Sequence, residues 1–175
     1  MRVIIVTILV FSFILLNSCS NNEAAATLLI DDIKHSMAEA NVHYEEVVHI
    51  EVVQAGFLVF YRDGEGLNVG FIKNEPKTHK WMVLSLDYNN LNPEKGLSWS
   101  ANNKEDIPLY FFYGVITNPN ITRVITKKPD GSSEQSAKII TTDSGLTFWF
   151  TLYDEPTSAP MDVIGLDKDS NIIVQ

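Results

Sequence analysis

Apolar and polar residues alternate along the chain from Val47 onward, and short turn sequences interrupt the alternation at regular intervals. A period of two is typical of β-strands that have one buried and one exposed face. Strands that recur about every 8–12 residues, with turn residues between them, are typical of sandwiches and barrels. The pattern therefore predicts a mainly β fold, an antiparallel β-sandwich or barrel-like meander of about nine strands.

Three turn sequences add detail to this prediction. Asp63-Gly64-Glu65-Gly66 lies between two apolar runs and predicts a β-hairpin. Lys128-Pro129-Asp130-Gly131 predicts a second turn, and Lys168-Asp169-Ser170 predicts the turn of a closing hairpin. Residues 107–116 are apolar on both faces, which predicts a central strand covered on both sides. Residues 89–106 have few branched side chains and are predicted to be irregular.

One helix is predicted ahead of the first strand, over residues 24–40. Its apolar residues recur at helical spacing and form one stripe, and its acidic residues lie early, where the helix dipole favours them. The stripe comprises Leu29, Ile30, Ile33, Met37 and Ala40. We expect it to pack on a sheet, so that the fold is mainly β with one N-terminal helix, or α+β by count of elements.

The first residues of the chain have the organisation of a secretory signal. Arg2 is followed by residues 3–16, which carry no charge and are mostly apolar. This run is shorter than the ~20 residues that a membrane-spanning helix needs, whereas a basic start and a short apolar core are typical of signal peptides. We predict a signal peptide over residues 1–18. The alternatives are an uncleaved anchor and an ordinary secretory signal followed by a chance cysteine.

The residues at the predicted cut, Leu16-Asn17-Ser18-Cys19, resemble the lipobox of bacterial lipoproteins. The resemblance implies cleavage before Cys19 and a diacylglycerol on its thiol, often with a third acyl chain on the new amine. Two or more acyl chains give stable anchoring, and Cys19 is the only cysteine of the chain. We therefore expect a polar tether over residues 19–23, a single globular domain over residues 24–175, and a location on the extracytoplasmic face of the cell membrane.

The charge of the chain bears on its partners. The formal net charge is −9, and the first 18 residues hold one base and no acid, so their removal leaves the remainder more negative. A strongly acidic surface disfavours nucleic acid and anionic lipid as electrostatic partners. We expect a membrane contact through the lipid on Cys19 only, no nucleic acid, and a protein or glycan partner that the sequence does not identify.

No pattern of residues that supports catalysis or metal binding stands out. The four histidines, at positions 35, 43, 49 and 79, lack the spacing of metal ligands and are interpreted as solvated or locally bonded. Residues 167–171 begin like a calcium loop, but Ile172 occupies the position that requires glycine, so a hairpin turn is the better explanation. There is no nucleophile elbow of the G-x-S-x-G type. We predict no catalytic residue, no metal and no cofactor.

The tryptophans are the strongest candidates for a ligand surface, namely Trp99, Trp81 and Trp149. Trp99 lies in the long polar stretch, where an exposed indole would stack on a sugar or a peptide. The alternative, which we favour from the sequence, is that Trp99 is buried and plugs the end of the sandwich, because tryptophan is usually highly buried. The aromatic run from Tyr110 to Tyr113 is interpreted as a core strand with two buried faces.

A wider resemblance rests on segments spread over most of the chain after Cys19: residues 48–51, 56–61, 68–72, 97–99, 107–121, 148–149 and 162–167, together with Trp81. In these segments the chain is similar to a family of small lipoproteins from Gram-positive, spore-forming bacteria. Members often have a glycine-rich segment after the position of Trp81, and residues 83–87 depart from it. The resemblance implies the location and a shared fold, and no particular activity.

These observations predict a non-enzymatic role, in which a membrane-anchored domain binds or shields a component of the cell envelope. The alternative is a hydrolase of envelope polymers with a site built from loop residues 89–106. An exposed aromatic patch would favour the binding module, and a cleft with converging polar groups and shifted pKa values would favour the enzyme. A long unpaired edge strand would instead indicate an assembly factor.

Overall fold

The computed structural model describes residues 21–54, 56–75, 78–83, 89–103, 109–157 and 159–175, with side chains omitted for 21–28 and 74–83. The described residues form one helix and twelve strands. They are α1 (Asn21–Glu39), β1 (Glu46–Val53), β2 (Gly56–Arg62), β3 (Leu67–Glu75), β4 (Thr78–Val83), β5 (Ser100–Asn102), β6 (Tyr110–Ile116), β7 (Arg123–Lys127), β8 (Gln135–Ser136), β9 (Lys138–Thr141), β10 (Thr147–Tyr153), β11 (Asp162–Leu166) and β12 (Ile172–Val174). The chain divides into two units, Met1–Val42 and His43–Gln175, so α1 and the strands are described separately.

Helix α1 has one buried stripe, formed by Ile33, Ser36 and Met37 at the spacing of one helical face. Ile30 and Ala40 were predicted to belong to this stripe, and this was wrong. The side chain of Ile30 is 40% exposed, and Ala40 is exposed and follows the last residue of α1. The helix ends as predicted near Asn41, which has a positive φ of 54°. The N–H of Val42 donates back to the carbonyl of Met37 at 2.9 Å, which is the bond of a Schellman motif.

The unit His43–Gln175 contains three antiparallel sheets of four strands each. The first sheet has the order β1-β2-β3-β4, the middle sheet β5-β6-β10-β9, and the third sheet β12-β11-β7-β8. The predicted mainly β, antiparallel fold with one N-terminal helix is confirmed. Each sheet keeps two edge strands within the described residues, so the sandwich form of the prediction holds and the barrel form does not.

The middle sheet is covered on both faces. One face of β6 contributes Phe111, Tyr113 and Val115 to a core shared with β2 and β3 of the first sheet. The opposite face contributes Phe112 and Ile116 to a core shared with β7 and β11 of the third sheet. The predicted central strand is therefore confirmed, because burial on both faces is what allows an uninterrupted apolar run.

The turns follow their predicted chemistry. Between β2 and β3 the carboxylate of Asp63 accepts the backbone N–H groups of Glu65 and Gly66 at 2.8 and 2.9 Å. After β7, Gly131 has a φ of 82° and its N–H donates to the carbonyl of Lys128 at 2.8 Å. Because glycine adopts this left-handed backbone conformation without a steric penalty, the turn depends on Gly131.

The count of about nine strands was too low, and the predicted irregular stretch 89–106 contains β5. Strand β5 (Ser100–Asn102) and strand β8 (Gln135–Ser136) have two or three residues each and almost no apolar side chain. Both lie at sheet edges, where pairing with a longer neighbour holds them in place. An alternating apolar pattern cannot show such strands.

Candidate functional site

Trp99 lies directly before β5, and its side chain is 52% exposed, so the predicted burial of Trp99 was wrong. The indole contacts the ring of Phe112 on the neighbouring strand β6, with ring centroids 5.9 Å apart. Phe112 is itself buried and belongs to the core between the middle and third sheets. Trp99 therefore rests on the core by one side and presents the other to solvent.

The backbone before Trp99 is held by an unusual arrangement around Ser98. The Ser98 N–H donates to the carbonyl of Val115 at 3.0 Å, and the Val115 N–H donates to the hydroxyl of Ser98 at 3.0 Å. The Ser98 carbonyl is left to accept the indole Nε1–H of Trp149 at 3.1 Å. This carbonyl occupies the space beside Gly114, where a Cβ would lie 1.8 Å from the oxygen. We call Ser98, Gly114, Val115 and Trp149 the Ser98 lock.

The Ser98 lock fixes the backbone from which Trp99 extends. The Ser98 carbonyl is directed at the buried Trp149, while Trp99, the next residue, keeps about half of its side chain in solvent beside edge strand β5. Trp149 was predicted as part of a ligand surface, and this was wrong, because it has no exposed surface. Its role is to fix the backbone that carries Trp99.

The side chains of the other predicted site residues are not among the described ones. The backbone of Trp81 lies in β4 opposite Ile72. Cys19 and the predicted signal peptide lie outside the described residues. Within the described part of the chain, no helix has both the length and the apolar character needed to cross a membrane.

A second polar cluster joins the edges of the first and middle sheets. Nε2 of His49 on β1 lies 2.8 Å from Oε2 of Glu51, and Nζ of Lys138 on β9 lies 2.7 Å from the same oxygen. The imidazole of His49 lies about 6 Å from the rings of Phe60, Phe148 and Phe150. Residues 49, 51 and 138 are called the edge cluster below.

The edge cluster holds Glu51 in its ionised form. Partial burial acts to raise the pKa of Glu51, but hydrogen bonds from Lys138 and His49, with the charges of both, outweigh it and lower the pKa below its ordinary value. The cluster also gives edge strand β1 an inward-pointing charge, and β1 carries a bulge between Val47 and His49. Inward charges and bulges discourage an edge strand from pairing with another chain.

A cleft of about 650 Å³ opens where the middle sheet ends. It lies between the β6–β7 turn and the β9–β10 turn, with the last residues of β6, Val115 and Ile116, in its lining. Arg62 at the end of β2 lines it as well. We call this space the end cleft. Its size falls within the ~300–1,000 Å³ of small-molecule sites.

Among the described residues, no group of three or more histidine, cysteine, aspartate or glutamate side chains is placed to hold a metal ion. In the sequence that began like a calcium loop, the Asp167 carboxylate accepts the N–H groups of Asp169 and Asn171 at 2.8 and 2.9 Å. These bonds form the turn of the β11–β12 hairpin, as predicted.

Neither a family model, a curated protein nor a solved structure matches the chain. Reasoning from the sequence missed the edge cluster, because Lys138 is 87 residues from Glu51 and only strand pairing brings them together. The end cleft was missed for the same reason, since its lining comes from four separate segments.

Proposed function

We propose that the protein is a lipid-anchored, extracytoplasmic binding module in which Trp99 contacts a neutral glycan of the cell envelope. The observation that carries this proposal is the 52% exposure of Trp99 on a backbone fixed from the core. A half-exposed indole leaves a large apolar face in water, and tryptophan is the side chain most enriched among residues that dominate binding.

The rigidity of the Trp99 backbone supports a binding role. The Ser98 lock and the contact with Phe112 hold the indole before any ligand arrives. A side chain that is already ordered loses little conformational freedom on binding, so more of its contact energy appears as affinity.

The surroundings of Trp99 favour a neutral glycan over a charged peptide. Residues 96–103 carry no charged side chain and are rich in hydroxyl and amide groups. An indole without a charged neighbour in the chain offers a flat apolar face, which suits the apolar face of a neutral sugar ring. Of the polar residues next to it in the chain, Ser100 and Asn103 keep contact with solvent.

Anchoring at Cys19 would place this surface at the envelope. The sequence before Cys19 resembles a lipobox, and the polar residues after it would give the domain a short tether. Acyl chains on one thiol and one amine would supply the two or more chains that stable membrane attachment requires.

Co-sedimentation with purified, insoluble envelope glycan tests the binding role. We expect the wild-type protein to sediment with the glycan and Trp99→Ala to lose at least about tenfold in affinity, as a dominant contact would. Val52→Ala is the matched control, because Val52 is a 73% exposed apolar side chain on β1 and should leave sedimentation unchanged. Equal binding by wild type and Trp99→Ala would contradict the proposal.

Metabolic labelling with a palmitate analogue tests the anchor separately. The wild-type protein should incorporate the label and remain with the membrane, and Cys19→Ala should lose the label and enter the medium. Unchanged membrane retention of an unlabelled Cys19→Ala protein would exclude lipid anchoring.

A further inference from the structure

The end cleft does not include Trp99 in its lining and has a chemistry of its own. Five of its lining side chains carry hydroxyl groups, and Asn118 adds an amide. The hydroxyl groups belong to Thr117, Thr122, Thr141, Ser144 and Thr147. They come from the β6–β7 turn, the β9–β10 turn and the strand ends next to that second turn. Apolar side chains such as Val115 and Ile139 also line the cleft. The lining therefore combines apolar surface with a set of hydrogen-bonding groups.

Charge distinguishes the end cleft from the rest of the surface. The chain has a net charge of −9, yet no carboxylate lines the cleft among the described residues, and Arg62 is the one charged residue there. An anion is disfavoured over most of an acidic protein. The described lining of the end cleft has one cation and no carboxylate, and an acid, Glu46, lies at the rim beside Arg62.

Glu46 forms an ion pair with Arg62 but also has a second partner. Nε of Arg62 lies 3.0 Å from Oε2 of Glu46, but the two atoms lack the alignment of a hydrogen bond. Both side chains are 34% exposed although Nε itself is buried, and an ion pair that keeps this much contact with solvent contributes little. The same carboxylate oxygen also accepts the Ser144 hydroxyl at 3.2 Å, at the rim of the cleft.

We propose that the end cleft binds a small hydroxylated carboxylate, such as a sugar acid, whose carboxylate pairs with Arg62. A guanidinium presents its N–H groups as a planar fork that fits a carboxylate through two parallel hydrogen bonds. A hydroxyl can both donate and accept, so Thr117 and Thr122 match the hydroxyl groups of the ligand. The hydroxyls of Thr141 and Thr147, which bond to each other at 3.0 Å, each keep further capacity for a hydrogen bond. The site does not include Trp99, so it is a second site beside the proposed glycan contact.

Glu46 acts in this arrangement as an internal competitor for Arg62. A ligand carboxylate has to displace or share the ion pair, so removing the charge of Glu46 should strengthen binding. A purely steric cleft would show no such effect, which makes Glu46→Gln an informative variant.

Titration calorimetry and saturation-transfer NMR with two probes test the proposal on the full chain. The probes are D-glucuronate and D-glucose, which share the ring and differ in the carboxylate. We expect glucuronate to bind at least about tenfold more tightly than glucose, and Arg62→Gln to abolish that difference. Glu46→Gln should bind glucuronate about three- to tenfold more tightly than wild type, because it removes the competing charge. Trp99→Ala should leave glucuronate binding unchanged, which separates this site from the glycan contact.

Thr122→Val provides a second test that does not disturb the ion pair. Thr122 is exposed at the cleft, and the substitution removes its hydroxyl at nearly constant size, so glucuronate binding should weaken with no change in fold by circular dichroism. The proposal is overturned if neither wild type nor Glu46→Gln binds glucuronate even at concentrations well above millimolar. Equal binding of the two sugars to wild type, or full glucuronate binding by Arg62→Gln, would also overturn it.

Discussion

Substitution of Gly114 by alanine tests the Ser98 lock at its tightest contact. The new Cβ would lie 1.8 Å from the Ser98 carbonyl oxygen, 2.6 Å from the Ser98 carbonyl carbon and 2.9 Å from Nε1 of Trp149. Two of these three atoms are backbone, so a change of rotamer cannot relieve the clash. The segment around Ser98 has to move away from β6 by more than an ångström.

The cost follows from what that movement breaks. It separates the Trp149 indole from the Ser98 carbonyl and strains the two bonds between Ser98 and Val115. An unpaired buried donor costs about 1–3 kcal/mol, and overpacking costs about 1–3 kcal/mol. The two costs together amount to about 2–6 kcal/mol. We therefore expect Gly114→Ala to lower the free energy of unfolding by about 3–5 kcal/mol, the middle of that range.

Urea denaturation followed by tryptophan fluorescence measures this loss. Gly64→Ala is the matched control, since its Cβ would meet only one side-chain atom, at 3.8 Å, and should change the stability by less than about 0.5 kcal/mol. A loss below about 1 kcal/mol for Gly114→Ala would refute the reasoning, because the lock would then be able to relax.

Three further outcomes follow from the described contacts. Gly165→Ala should lower the free energy of unfolding by about 1–2 kcal/mol in urea denaturation, less than Gly114→Ala does. Its Cβ would meet the ends of the Val174 and Ile121 side chains, at 2.8 and 3.1 Å, rather than backbone atoms. An equal loss in the two variants would contradict this ranking. Trp149→Phe should lower stability by at least about 1 kcal/mol, since it leaves the buried Ser98 carbonyl without its donor, and a neutral effect would show that water replaces the indole. Because the pKa of Glu51 is lowered in the folded state, the ionised Glu51 stabilises the fold above its unfolded-state pKa, and this stabilisation is lost as the pH falls through the folded-state pKa. The acid-induced loss of stability should therefore be smaller in Glu51→Gln than in wild type. Identical pH profiles of the two proteins would exclude the edge cluster as a source of stability.

The elements that the sequence predicts well are those whose pattern is local. Strand β6 is apolar on both faces and proves to lie between two cores. The turns at Asp63 and Gly131 depend on residues that satisfy or permit their own backbone conformation. Helix α1 shows its period and its end near Asn41 in the sequence itself.

The features that escaped prediction depend on partners distant in the chain. The backbone that carries the exposed Trp99 is fixed by a hydrogen bond between Trp149 and Ser98, which lie 51 residues apart. Its preceding residues are polar and give no strand pattern, so the general tendency of tryptophan toward burial pointed the wrong way. Likewise, no local pattern indicates that Arg62 lines the same cleft as the turns that follow β6 and β9.

Oxidative footprinting read by mass spectrometry tests most directly whether Trp99 is the contact residue of a binding module. In the free protein, Trp99 should be oxidised rapidly and the fully buried Trp149 slowly, and saturating envelope glycan should protect Trp99 while leaving exposed residues elsewhere unchanged. Oxidation of Trp99 at the slow rate of Trp149, or at an undiminished rate when glycan is bound, would contradict the account.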